Sequence, residues 1–117
     1  MNLERILGIK NFLSNTDISK TGFIQLLELS NQIKSKDFQL NLKDKVLGLI
    51  FDKASTRTRV SFQVAMSRLG GSSIDLNPST SQIGRGEPIK DTARVLSRYC
   101  DVIAVRTFNQ TDLEEYA

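Results

Sequence analysis

Residues 55–59 read Ser-Thr-Arg-Thr-Arg, three hydroxyls and two guanidinium groups in five consecutive positions. Side chains of this kind do not build a core; they hold anions. The run follows an apolar stretch, VLGLIF, and precedes a helical pattern, so it falls where a strand turns into a helix. The first amides of such a helix have no intrahelical acceptor, and the macrodipole adds partial positive charge at the same end. A phosphate group placed there would accept from those amides. Ser55, Thr56 and Thr58 could add hydroxyl donors, and Arg57 a charge-assisted, bidentate bond. The turn has no glycine and no GxxxxGK[ST] pattern, so it is not a Walker A loop. Side-chain donors in place of glycine freedom suit a small phosphate compound better than a nucleotide wrapped in backbone. The plain alternative is that Ser55 caps a helix and the arginines are solvated. Arg106 weighs against it, because a basic residue closing a later apolar strand points to the same edge. Arg59 lies one step further into the helix. A structural ion pair, with Glu87 as a candidate partner, competes there with ligand contact.

The elements that must position these residues are legible as changes of period. Ser19 or Thr21 could cap a helix running to about Lys34, with Phe23, Leu26, Leu27 and Ile33 on one face and Gly22 weakening its start. KDFQLNLKDK reads as a loop. KVLGLIF, 45–51, is a short strand whose unbroken apolar character favours burial on both faces in a parallel sheet. From Thr56 to Leu69 the period is helical, with Phe62, Ala65, Met66 and Leu69 on one stripe and Gly70 and Gly71 ending it. SSIDL, 72–76, is a second strand. NPSTSQIGRGEP, 77–88, is a loop of turn formers. IKDTARVLSRYC, 89–100, is a helix with Ile89, Ala93, Leu96 and Cys100 inward. DVIAVRTF, 101–108, is a third strand, and Thr111 or Asp112 would cap a further helix. The order α, β, α, β, α, β, α predicts an α/β fold: a parallel sheet with flanking helices, built of right-handed βαβ units. Ligands of such sheets bind beyond the carboxyl ends of the strands. Three polar clusters fall at those ends: STRTR, STSQIGRGE and Arg106-Thr107.

Composition narrows the classes. The chain has 117 residues, 39% hydrophobic and 25% charged, enough for one soluble domain over 1–117. Its formal net charge of +3 suits an anionic ligand but is far from a nucleic-acid tail. Lys53, Arg57, Arg59 and Arg68 form a basic stretch without a recognition-helix motif or an aromatic stacking pattern, which argues against a nucleic-acid module. With no histidine, neither a zinc site nor a histidine base can come from this stretch. The single cysteine, Cys100, cannot form an internal disulfide and reads as a small buried apolar residue. No run of about 18 apolar residues could span a bilayer, and the N-terminal segment is too charged for a secretory signal. A cytoplasmic protein is expected. Asp91 fits a helix-dipole contact, as do Asp112, Glu114 and Glu115. TDLEEYA opens a helix just where the sequence stops, which suggests a fragment.

The pattern F-x-K-x-S-T-R-T-R-x-S-F-x-x-A at 51–65 resembles the carbamoyl-phosphate motif of the aspartate and ornithine carbamoyltransferase family. GRGEPIKDTARVLSRY, 84–99, and VRTF, 105–108, resemble the ornithine branch more than the aspartate branch. The aspartate enzymes typically carry a lysine in the loop after the second strand. Asp52 and Gln63 stand where the family commonly has glutamate. The resemblance covers the chain from about residue 2 to 117 and implies an incomplete carbamoyl-phosphate-binding domain. The family's later His-Cys-Leu-Pro segment and its amino-acid-binding domain would lie beyond residue 117.

The resemblance also implies roles. Ser55, Thr56, Arg57 and Thr58 match the phosphate-binding run. Arg106 matches the arginine that contacts both the phosphate and the carbamoyl oxygen, so Arg57, Thr58 and Arg106 are the expected catalytic residues. Gln82 matches a loop residue that reaches the site of a neighbouring subunit, which implies a homotrimer or a multiple of it. The implied reaction joins carbamoyl phosphate and L-ornithine to give L-citrulline and phosphate, a step of arginine biosynthesis or the urea cycle. It requires no metal or organic cofactor. Aspartate, putrescine or an acetylated ornithine are the alternative acceptors. As 117 residues alone, the chain would fold and bind phosphate weakly, without turnover.

Overall fold

The computed structural model describes residues 10–37, 39–77 and 86–117. The chain divides into two compact units, residues 1–40 and 41–117. In the first, Ser14 and Asp17 form a capping box around a 3-10 turn, Asn15–Asp17. Helix α1 follows over Lys20–Lys34. Ser19 caps it, its hydroxyl accepting from the Gly22 N–H at 3.0 Å. The inward stripe is Gly22, Leu26, Leu29 and Ile33. Leu27, expected on that stripe, is 62% exposed instead. At about 100° per residue it sits roughly a third of a turn away from it, and Leu29 takes the buried place.

The second unit carries β1 (Val46–Phe51), α2 (Thr56–Arg68), β2 (Ser72–Leu76), α3 (Ile89–Tyr99), β3 (Val102–Arg106) and α4 (Gln110–Tyr116). Its sheet has three strands in the order β2-β1-β3, with both pairings parallel. The unbroken VLGLIF is the central strand, and Leu49 and Ile50 are fully buried. Two-sided burial needs apolar residues at every position, which is why this strand lacks the alternation of an antiparallel edge. Leu47, Leu49 and Phe51 share one face, with Met66 of α2 against them. Gly48 points the other way. A Cβ there would meet Cys100 Sγ at 3.1 Å and Ile103 Cγ2 at 3.2 Å, so the strand approaches β3 and the end of α3 where only hydrogen fits. Burial pushes the Cys100 thiol pKa up and the neighbouring Asp101 charge adds to it, as suits a packing residue.

Helix α2 ends in a Schellman motif. Gly71 N–H donates to Met66 O at 2.9 Å, and Gly70 N–H to Ser67 O at 3.2 Å. Gly70 holds φ +84, the left-handed conformation this stop requires. The inward stripe of α2 differs from the expected one. Arg59, Gln63, Met66 and Leu69 are half-buried, while Ala65 and Phe62 are exposed. The rotation places Arg59 over the sheet, for the reason given below. On α3, Ile89, Ala93, Leu96 and Cys100 face inward as expected, and Thr92 is the most buried polar residue with them. Helix α4 begins earlier than expected: Asn109, not Thr111 or Asp112, holds the cap position.

At the amino ends of the strands, Val46 N–H donates to Asp101 Oδ2 at 2.9 Å. Asp101 N–H returns a bond to Val46 O at 2.9 Å. Among the described residues no helix is long and apolar enough to cross a membrane.

Candidate functional site at the strand carboxyl ends

Because β1 lies between β2 and β3, the crossover to β2 and the return to β3 run in opposite directions. In sheets of this order right-handed connections lie on opposite faces, and the crevice that takes a ligand falls between the carboxyl ends of the strands where the direction reverses, here β1 and β3. The Ser55–Thr58 run follows β1, and Arg106 ends β3. Phe51 faces Arg106 in the register, and Asp52 N–H donates to Arg106 O at 2.8 Å. Two clusters separated by about fifty residues of sequence thus come to the carboxyl ends of neighbouring strands.

Ser55 occupies the cap position of α2 with φ −157 and ψ 72, but its hydroxyl makes no capping bond. Only its carbonyl serves the helix, accepting from Arg59 N–H at 3.0 Å. The simple capping alternative therefore fails for the Ser55 side chain, and its Oγ is left for another acceptor or donor. Ser55 is half-buried, whereas Thr56, Arg57 and Thr58 are exposed at the first turn of a 13-residue helix. The first turn carries no acidic residue, so no side chain of its own neutralises the dipole there.

Four cations gather near this edge, and they divide into two kinds. Arg59 is engaged: its Nε lies 3.2 Å from Asp75 Oδ2 of β2. Its guanidinium also stands over the Phe51 ring at 5.6 Å. The expected structural ion pair thus exists, but its partner is Asp75, and Glu87 pairs with neither Arg57 nor Arg59 among the described residues. Lys53 is engaged too, with Nζ 4.7 Å from the centroid of Phe108. Arg57 and Arg106 have no acidic or aromatic partner among the described residues. These are the two guanidinium groups that the sequence resemblance expects at an anion.

Acidic groups also reach this edge. Burial pushes the Tyr116 phenol pKa up, and the nearby charges of Asp52, Asp112, Glu115 and Glu87 add to it. Gln82 lies outside the described residues, as does most of the loop it belongs to. Asp75 and Phe108 were not anticipated as partners. A lone acid inside a five-residue strand was the available signal for Asp75. The pairing of Phe108 has no local signal, since it depends on two turns meeting.

Strand order and parallel pairing define an α/β domain with polar clusters at the carboxyl ends of its strands. The model of the aspartate/ornithine carbamoyltransferase carbamoyl-P binding domain matches residues 10–117, and the chain belongs to that family. The chain is 72% identical over 111 residues to an ornithine carbamoyltransferase of Prochlorococcus marinus subsp. pastoris, covering 95% of this chain and 36% of the relative. The crystal structure of ornithine carbamoyltransferase from Gloeobacter violaceus is similar with TM-score 0.79 and 53% identity, over 90% of this chain and 33% of that one. Aspartate transcarbamoylase from Trypanosoma cruzi, in complex with carbamoyl aspartate and phosphate, is similar with TM-score 0.82 and 31% identity, over 99% of this chain and 38% of that one. The chain spans about a third of the length of the curated relatives it matches.

Proposed function

We infer that the full-length protein transfers the carbamoyl group of carbamoyl phosphate to the δ-amine of L-ornithine, releasing L-citrulline and phosphate. The observation that supports this reading is the register that sets Arg106, at the carboxyl end of β3, beside Phe51, four residues before the Ser55–Thr58 run; neither Arg57 nor Arg106 has an acidic or aromatic partner among the described residues. The neutral amine attacks the carbamoyl carbon and a tetrahedral oxyanion forms; the C–O bond to phosphate then breaks as the carbonyl re-forms, and the attacking nitrogen gives up one proton to the departing phosphate. Arg106 and Thr58 polarise the carbonyl oxygen and take up its developing charge. One preorganised donor of this type is worth about 3–4 kcal/mol. Arg57, Ser55, Thr56 and the α2 amides hold the departing phosphate. Much of the rate comes from positioning, since the electrophile is already activated.

The choice of ornithine rests on sequence likeness, because the fold is shared equally with an aspartate enzyme. Identity is 72% to the ornithine carbamoyltransferase of P. marinus and 31% to the aspartate transcarbamoylase of T. cruzi. The reading includes a homotrimer or a multiple of it, with Gln82 of one subunit completing a neighbour's site. It includes a cytoplasmic location, a place in arginine biosynthesis, and no nucleic-acid or membrane partner. Isothermal titration of the full-length protein with carbamoyl phosphate tests the site, and Arg57→Gly is expected to abolish binding. Retained binding refutes the assignment. Citrulline formation from ornithine, set against turnover with aspartate, putrescine and N-acetylornithine, tests the acceptor.

A further inference from the structure

Lys53 lies in the turn between β1 and α2, and Phe108 in the turn between β3 and α4. Their places correspond. Phe51 faces Arg106 in the register, and each member of the pair stands two residues beyond. The bond from Asp52 N–H to Arg106 O, 2.8 Å, extends the ladder to the rim of the crevice. Beyond it, Lys53 Nζ on the Phe108 ring at 4.7 Å makes a further contact between the two turns. Phe108 is 69% exposed, so core burial does not hold its ring. The turn that presents the ring is tied to α4: Thr107 Oγ1 and Asn109 Nδ2, on either side of it, each donate to Asp112 Oδ2 at 3.4 Å.

We propose that Lys53 and Phe108 form a positioning clamp that sets the spacing between the Ser55–Thr58 run and Arg106, and through it the affinity for carbamoyl phosphate. The clamp rests on the site reading above. A ligand gripped from the start of α2 and the end of β3 binds only when the two are correctly spaced, and its apparent affinity falls with the fraction of molecules so arranged. An exposed cation–π contact shifts such a fraction by about two- to fivefold. Lys53 acts through Phe108 rather than on the anion. Both are positioning residues.

A double-mutant cycle in the full-length protein tests the clamp. The variants are Phe108→Leu, Lys53→Met and their combination, with Phe108→Trp as the conservative replacement and Arg57→Gly as the control for the site. The readouts are the dissociation constant of carbamoyl phosphate by titration, kcat, and the melting temperature. Each single variant is expected to weaken binding by about two- to fivefold. The double variant should be no worse than either, Phe108→Trp should restore affinity, and Phe108→Leu should leave the melting temperature unchanged. Additive losses, or a tryptophan variant no better than leucine, overturn the clamp. A much larger loss in Lys53→Met beside a neutral Phe108→Leu makes Lys53 a direct anion ligand and also overturns it. Binding retained in Arg57→Gly removes the site reading, and the clamp with it. Binding lost in Arg57→Gly together with an additive cycle removes the clamp alone.

Discussion

Arg57 and Arg59 are two residues apart in sequence and have opposite fates. On an α-helix that spacing turns the side chains to different faces. Arg57 is exposed in the first turn of α2, whereas Arg59 is half-buried, with Phe51 and Asp75 as its partners. Sequence reading could not separate them, because the deciding partner comes from β2. Glu87, the expected partner of Arg59, lies in the turn before α3 and pairs with neither arginine among the described residues. Removing the Arg59 charge should therefore affect stability more than binding. Arg59→Met is expected to lower unfolding stability by about 1 kcal/mol, the upper range for a half-exposed pair. Carbamoyl-phosphate affinity should stay within about twofold of the original. Urea unfolding midpoints and titration check the two halves of this expectation, which contrasts with the loss expected from Arg57→Gly.

At the scale of elements, turn chemistry was the most legible feature. Two consecutive glycines after a helical stripe mark a Schellman stop, and the structure places the left-handed residue at Gly70. Alanine there is expected to cost about 1–2 kcal/mol, since a Cβ at φ +84 crowds the following carbonyl. Gly70→Asn should cost less, because asparagine tolerates that conformation. Thermal or urea unfolding of the two variants compares them directly. Helix faces were less legible. The α1 stripe was misplaced at Leu27, and the α2 stripe is turned toward Arg59 and Gln63. Hydrophobicity alone favours the most apolar stripe. A long polar side chain can nonetheless turn inward when its alkyl stem covers a ring and its head finds an acid.

Across the 41–117 unit, the parallel sheet is tied at both ends of β1 and β3. At the carboxyl ends lie the Asp52–Arg106 backbone bond and the Lys53–Phe108 contact. At the amino ends Asp101 accepts from the Val46 N–H. That bond, helped by Lys45 at 3.6 Å, holds the Asp101 carboxyl pKa below its usual value against a smaller opposing effect of burial. A group whose folded pKa is depressed contributes stability above its unfolded pKa, about 3.9, and loses it as pH falls through the lower folded value. Asp101→Asn is therefore expected to be less stable than the original near neutral pH and to converge with it in stronger acid. Unfolding midpoints measured from pH 7 downward check this. A gap that stays constant with pH would show that the charge is not its cause.

Some of this was set by the residues along the chain. The unbroken apolar run made β1 a strand buried on both faces. The alternation of periods specified an α/β fold, and the density of hydroxyls and guanidinium groups marked a candidate anion site at a helix start. These are local properties, because burial, period and helix-end chemistry act over a few neighbouring residues. The tertiary structure decided which distant residues meet. It put β1 between β2 and β3, so that Arg106 arrives beside the Ser55–Thr58 run. It paired Arg59 with Asp75 and Lys53 with Phe108, while Arg57 and Arg106 have no such partner among the described residues. Such pairings depend on strand order and register, which bring together groups that no sequence window contains.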